Sequence, residues 1–314
     1  MKIIEHARIY NPKEWGSSRI FSAFSNDGQL IAVRVPCEAW SYKKQDNLFV
    51  YDIYGNKKWS GFSLDGGSCN EWGIVFFPDK YSVLVPGADD NGGSLDGLKQ
   101  YKIGGNGFSL PFSHTSLNGI NTSVYAVADN GRAILGRKNG LICVINKREF
   151  PMQDEPFSEA YFSSESDCLA FIGLFGSSSW LYDLSAIDNK IELSGQFVCF
   201  LSNKQWLEFD RGDFVVRNIS NLQEAQRIKS NFPNYGRIFS GAASEYGKLF
   251  ALADLDGAIS LWDRESCTRL DRIKLSPNTA ISRMKFSTDG QYILTVVMDG
   301  NMDRKEIIVW QIES

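Results

Sequence analysis

Histidine is almost missing from this chain: only His6 and His114 occur in 314 residues. That scarcity argues against a histidine-rich metal enzyme and leaves little material for a serine–histidine–acid relay. The six cysteines, at 37, 69, 143, 168, 199 and 267, form no CxxC pair, so the common zinc and thiol-redox spacings are absent. Buried free thiols in a reducing compartment are the expectation. No run of about 18 uncharged apolar residues exists to span a bilayer. The opening Met1-Lys2-Ile3-Ile4-Glu5-His6 lacks the apolar stretch of a secretory leader. Positive charge is not in excess either: 33 Lys and Arg stand against 37 Asp and Glu, for a net charge of −4. A dedicated nucleic-acid or anionic-membrane binder would carry the opposite balance. Lys43-Lys44, Lys57-Lys58 and Lys147-Arg148 are too scattered to form a basic stripe. These absences point to a cytoplasmic protein with no membrane attachment, and they argue against nucleic acid as a partner.

Catalytic signatures are missing as well. No GxSxG elbow and no Walker-type phosphate loop occur. The glycine-rich string Lys102-Ile103-Gly104-Gly105-Asn106-Gly107 joins two expected strands instead of opening a helix, so it reads as a hairpin turn.

What the chain has is glycine, aromatics and repetition. It holds 28 Gly, 21 Phe and 8 Trp, with 43% hydrophobic residues, a mixture that suits many short strands and many turns. One turn motif returns seven times between apolar runs: FSNDGQLIAV (24–33), FPDKYSVLV (77–85), VADNGRAIL (127–135), FSSESDCLAF (162–171), LSNKQWLEF (201–209), ASEYGKLFAL (243–252) and FSTDGQYILTV (286–296). The mean spacing of about 44 residues is that of four-stranded propeller blades. After each turn comes an alternating strand ending in an apolar or aromatic residue: LFVYD (48–52), LKQYK (98–102), LICVIN (141–146), SWLYD (179–183), DFVVRN (213–218), AISLWD (258–263) and EIIVWQ (306–311).

The FS-x-DG turns and the Asp256-Gly257…Trp262-Asp263 segment resemble the WD-repeat family. The resemblance covers nearly the whole chain and implies an all-β fold: a seven-bladed β-propeller of four-stranded antiparallel blades in one domain, 1–314. Asp256 matches the family's structural turn aspartate, and Trp310 keeps the tryptophan while Gln311 replaces the acid. The family's Gly-His dipeptide is absent from every blade, with Ser113-His114 the nearest trace. The hydrogen-bonded tetrad built on that histidine is therefore expected to be incomplete, and cohesion to rest more on packing. The last blade, about 281–314, runs out after three strands, and a spare strand lies at about 2–10. Pairing the two would close the ring and protect the strand edges.

Function in such a fold sits on the loops. Those joining the second to the third strand of a blade, and the fourth to the next blade, gather on one face. Three of the former are long: 36–47, 86–97 and 298–306. The first carries Trp40 and Tyr42 beside Lys43 and Lys44. Trp15, Trp72, Tyr235 and Arg237 lie in connections between blades. Aromatics beside cations match interface hot spots. Trp40 folded back over the blade as a core cover is an equal reading. In 86–97, Asp89, Asp90 and Asp96 stand among Gly and Asn; the loop does not fit the EF-hand pattern, and turn chemistry explains its composition better than calcium.

The reading is a non-enzymatic protein-interaction platform. Its candidate contacts are Trp15, Trp40, Tyr42, Trp72, Asp89, Asp90, Tyr235 and Arg237. Its partner is a protein or peptide, met alone or within a larger complex, and no catalytic residue, cofactor or metal is expected. The alternative is a propeller enzyme or small-ligand binder, for example of a sugar, with its site at the mouth of the central channel.

Overall fold

The computed structural model describes residues 1–10, 20–35, 46–61, 74–76, 82–86, 98–103, 112–115, 123–127, 133–137, 141–145, 148–152, 157–163, 167–173, 178–184, 190–202, 204–229, 240–244, 248–254, 257–276, 279–299 and 305–314. It is an all-β propeller of four-stranded antiparallel blades.

The strands run in chain order. β1 is Lys2–Tyr10. The next sheet is β2 (Phe21–Phe24), β3 (Leu30–Arg34), β4 (Leu48–Asp52) and β5 (Lys57–Gly61). Then come β6 (Val75–Phe76), β7 (Ser82–Pro86), β8 (Leu98–Lys102) and β9 (Phe112–Thr115), followed by β10 (Ser123–Val127), β11 (Ala133–Arg137), β12 (Leu141–Ile145) and β13 (Arg148–Pro151). The fourth sheet is β14 (Phe157–Phe162), β15 (Cys168–Gly173), β16 (Ser179–Asp183) and β17 (Lys190–Glu192). The fifth is β18 (Gln196–Ser202), β19 (Gln205–Asp210), β20 (Asp213–Asn218) and β21 (Glu224–Ile228). The sixth is β22 (Ser240–Ala243), β23 (Leu249–Ala253), β24 (Ala258–Asp263) and β25 (Arg269–Lys274). The last, β26 (Thr279–Phe286), β27 (Tyr292–Asp299) and β28 (Lys305–Glu313), is completed by β1 in the order β1-β28-β27-β26.

Among the described residues hydrogen bonding yields seven four-stranded sheets, while the blade count is five and not the seven the repeats predict. The β6-β7-β8-β9 sheet has the shortest ladders. β6 has two residues, and β8 and β9 share two partner pairs.

The chain divides into two compact units, Met1–Tyr10 with Glu155–Ser314, and Asn11–Asp154. In the first unit, β1 pairs β28 from Lys2↔Glu313 to Tyr10↔Glu306, with a bulge between Glu5 and Ala7. The spare N-terminal strand therefore completes the last sheet, as its sequence suggested. Burial is graded across each sheet. The middle strands read as near-continuous buried runs, as in LFALA of β23 and SWLYD of β16, because sheets covered on both faces need apolar residues on both. Fourth strands such as β25 carry several charges, here exposed Arg269, Arg272 and Lys274 with half-buried Asp271, which protects an edge from stray pairing.

Core clusters form between consecutive sheets. Ile259, Leu261, Ile293, Ile308 and Trp310 join the sixth sheet to the last. Leu207, Phe214, Phe250 and Leu252 join the fifth to the sixth. In the second unit, Ala32, Leu48 and Val50 pack with Ile74, Phe76 and Val83.

The repeated turn has a recurring chemistry. Ser287 Oγ accepts from the Tyr292 amide at 2.9 Å and donates to Asp289 Oδ1 at 2.6 Å. Ser25 does the same for Leu30 and Asp27, at 2.9 and 2.7 Å. Ser163 does so for Cys168 and Asp167, at 3.0 and 2.6 Å. Each hydroxyl thus ties the end of the first strand to the start of the second.

Polar bonds also link strands within a sheet. Trp310 Nε1 donates to Thr295 Oγ1 at 2.9 Å, linking the third and second strands of the last sheet. The fifth sheet carries a different set. Glu208 is fully buried and accepts from Trp206 Nε1 at 3.1 Å, Ser194 Oγ at 2.8 Å and Arg217 Nε at 2.5 Å. Cohesion rests on buried polar networks as well as on packing.

Candidate functional site

In six sheets strand order follows chain order, in the last β26, β27 and β28 do so before β1 takes the fourth place, and neighbours run antiparallel throughout. The second-to-third and fourth-to-next-first connections therefore leave from the same end of a sheet. Trp40 and Tyr42 lie between β3 and β4, and Asp89 and Asp90 between β7 and β8. Trp15 lies between β1 and β2, Trp72 between β5 and β6, and Tyr235 and Arg237 between β21 and β22. All eight belong to that class of connection, and all eight lie outside the described residues. The acidic stretch 87–97 also lies outside them, and among the described residues no group of His, Cys, Asp and Glu is arranged to hold a metal ion.

One expected long loop shrinks. β27 and β28 pair outward as far as Met298↔Lys305, so the connection narrows from 298–306 to 300–304. Lys305 at its edge is 4% exposed, and burial pulls its ammonium below the ordinary 10.5.

At this end of the first unit the described turns are pinned by charge. Between β19 and β20, Arg211 and Gly212 take left-handed φ of 53° and 89°. Arg227 reaches Glu224 at 2.6 Å, Asp213 at 3.6 Å and Asp210 at 3.8 Å, and Lys229 reaches Asp213 at 2.9 Å. Between β23 and β24, Asp254 accepts from the Ala258 amide at 2.8 Å and from Arg272 Nη2 at 2.7 Å. Asp254 is thus the aspartate seen holding this turn; Asp256 lies outside the described residues. Gly257, at φ 72°, passes so close to the Thr279 carbonyl that a Cβ would collide with it. These turns are fixed supports for whatever their neighbours present.

The first strands carry a second polar set. The Tyr161 hydroxyl on β14 donates to Glu159 Oε2. Burial, then the adjacent Glu159 charge, push the phenol well above its ordinary range, and Arg283 of β26 opposes them. Tyr161 also lies against Phe197 of β18, ring centroids 5.6 Å apart. Both histidines are elsewhere, on the outermost strands β1 and β9. His6 contacts Gln311 Oε1 at 3.2 Å and the Tyr292 ring at 5.3 Å, as a structural histidine would.

The sequence reading missed the set in which buried Glu208 meets Arg217 and Ser194. Local sequence gives no clear signal for it, because β19 and β20 also carry Gln205, Asp210, Asp213 and Asn218. No protein-family model matches the chain, and no curated protein matches it.

Proposed function

We propose that this chain is one WD-repeat-like propeller domain, 1–314, and that it works in the cytoplasm as a non-enzymatic platform for a protein or peptide partner. The observation that carries the reading is topological. Every candidate contact falls in a second-to-third or fourth-to-next-first connection, the class of connection whose described turns in the first unit are held by Asp254 and Arg227. Preorganised supports reduce the ordering cost of binding, so a few aromatic anchors can give useful affinity. β-Propellers commonly serve as interaction scaffolds. No helix among the described residues is long and apolar enough to cross a membrane.

The test is affinity capture from native extract with the wild type beside the Trp40→Ala, Tyr42→Ala double variant. A stoichiometric protein lost with the variant, at unchanged melting temperature, supports the platform. Equal capture by both forms, or a collapse in melting temperature, refutes the role given to these two residues.

A second reading has one observation behind it. Glu159, Tyr161 and Arg283 place polar and charged groups on the first strands of the first unit, where a propeller's small-ligand site would lie. Binding of a sugar or other polar compound that Tyr161→Phe abolishes would favour it.

A further inference from the structure

The connection between β17 and β18 is clipped to the structure on two sides. On one side, the Leu193 amide donates to the Ser179 carbonyl at 2.9 Å, and the Phe197 amide donates to Ser179 Oγ at 3.1 Å. On the other, Ser194 Oγ donates to Glu208 Oε1 at 2.8 Å and accepts from Arg217 Nη2 at 2.8 Å. Ser194 itself is exposed, on a bend. Beneath it lies a carboxylate with no access to solvent, Glu208, 0% exposed. A single hydroxyl at the surface thus completes the hydrogen bonding of a buried anion.

We propose that Ser194 is a phosphorylation site that controls this clip. The hydroxyl oxygen attacks the γ-phosphorus of a nucleoside triphosphate held by a protein kinase. The bond to the bridging β–γ oxygen breaks, the nucleoside diphosphate leaves, and the hydroxyl proton passes to the kinase's base. Two things change at once. The O–H that Glu208 accepts is gone, and a phosphate of nearly two negative charges stands next to a carboxylate that water cannot reach. Arg217 is the only cation within hydrogen-bond reach of both groups among the described residues, and a phosphate competes strongly for a guanidinium. The phosphate keeps its hydration by moving outward with residues 194–195, so the second clip opens while Ser179 still holds Leu193 and Phe197. The inference stands on this network and does not need the platform reading.

Three preparations test it: phosphoserine installed at 194, and the isosteric pair Ser194→Asp and Ser194→Asn, which differ in charge alone. Phosphoserine and Ser194→Asp are expected to speed amide exchange at residues 194–196 by roughly tenfold or more, leaving Leu193 and Phe197 protected, and to lower the melting temperature, with Ser194→Asn much closer to wild type. In a Glu208→Gln background the Asp–Asn difference should vanish or change sign, because Arg217 is then free to serve the new charge. If Glu208→Gln does not fold, the Asp–Asn comparison in the wild-type background decides alone. An equal effect of Asp and Asn overturns the proposal. Phosphate on Ser194 is also expected in protein purified from its own cells; recovery of only the unmodified peptide from growing, starved and stressed cells overturns it.

Discussion

Two serines occupy the same place in the repeated turn and have opposite surroundings. Ser287 and Ser244 are both 0% exposed. Both backbones make the same bond, the serine amide donating to a carbonyl five residues on, Ser287 to Tyr292 and Ser244 to Leu249, at 2.9 and 3.0 Å. Ser287 Oγ serves the Tyr292 amide and Asp289. Ser244 Oγ has no hydrogen-bond partner among the described residues, and the repeat has Tyr246 where its sister turn has an aspartate. Ser287→Ala strips the acceptor from a buried amide, whereas Asp289 is exposed and recovers its bond from water. The loss is therefore that of one unsatisfied buried N–H, about 1–3 kcal/mol. If the chain unfolds in one step, its size converts this to about 2–5 °C in melting temperature. Ser244→Ala removes a hydroxyl that is buried and idle, so the change should lie within about 0.5 kcal/mol of zero or be stabilising. Urea unfolding of the two variants, with amide exchange at Tyr292 as the local reporter, measures both. Equal destabilisation by the two, or a larger effect at Ser244, would refute the account of the turn.

Other outcomes follow from the same geometry. Thr295→Val leaves the indole N–H of Trp310, itself 2% exposed, without its acceptor, and should lower stability by about 1–3 kcal/mol in chemical denaturation. Glu5 is held below its ordinary 4.5 by hydrogen bonding to Arg8, against partial burial. A folded pKa below the unfolded one adds stability that is present above 4.5 and lost as pH falls through the folded value. Glu5→Gln should therefore flatten the acid limb of the urea midpoint measured from about pH 6 to about pH 3, and change neutral stability little because the pair is partly exposed. Burial pushes the Cys143, Cys168 and Cys199 thiols up to about 12. In the folded protein at about pH 8 they should react with a thiol reagent roughly a thousandfold more slowly than in urea, as peptide mass spectrometry would show.

The turn motif was readable because it carries a device: Ser, then Asp or an equivalent acid, then a strand whose first amide the serine holds. Ser25, Ser163 and Ser287 repeat it, and their spacing exposed the four-stranded plan. The pairing of Lys2–Tyr10 with the last three strands was readable for the same reason, since one sheet was short of a strand. Turn ends were less legible. β27 and β28 run on past Val297 because Met298 and Lys305 can pair, and nothing in local composition marks where a ladder stops. Glu208 escaped notice because a charge at every second position in a strand ordinarily faces water. Only the pairing of β19 with β20 reveals that Arg217, opposite Trp206, reaches it diagonally. The loop aromatics were chosen on composition, and Trp40 illustrates the difficulty: an exposed anchor and a folded-back core cover have the same sequence.

The pairing of β1 with β28 also sets how the protein bears load. Lys2 faces Glu313, and the ladder runs inward from there to Tyr10 and Glu306, so both chain ends emerge at the same end of one antiparallel pair. Tension applied between the termini falls on a single rung at a time, and the strand peels instead of shearing all its hydrogen bonds together. Closing that pair spans a sequence separation of 305 residues, between His6 and Gln311, which corresponds to about 5 kcal/mol of loop-closure entropy. Under force the molecule should therefore open first and at low load at β1, releasing one strand while the ladders β26–β27 and β27–β28 remain intact.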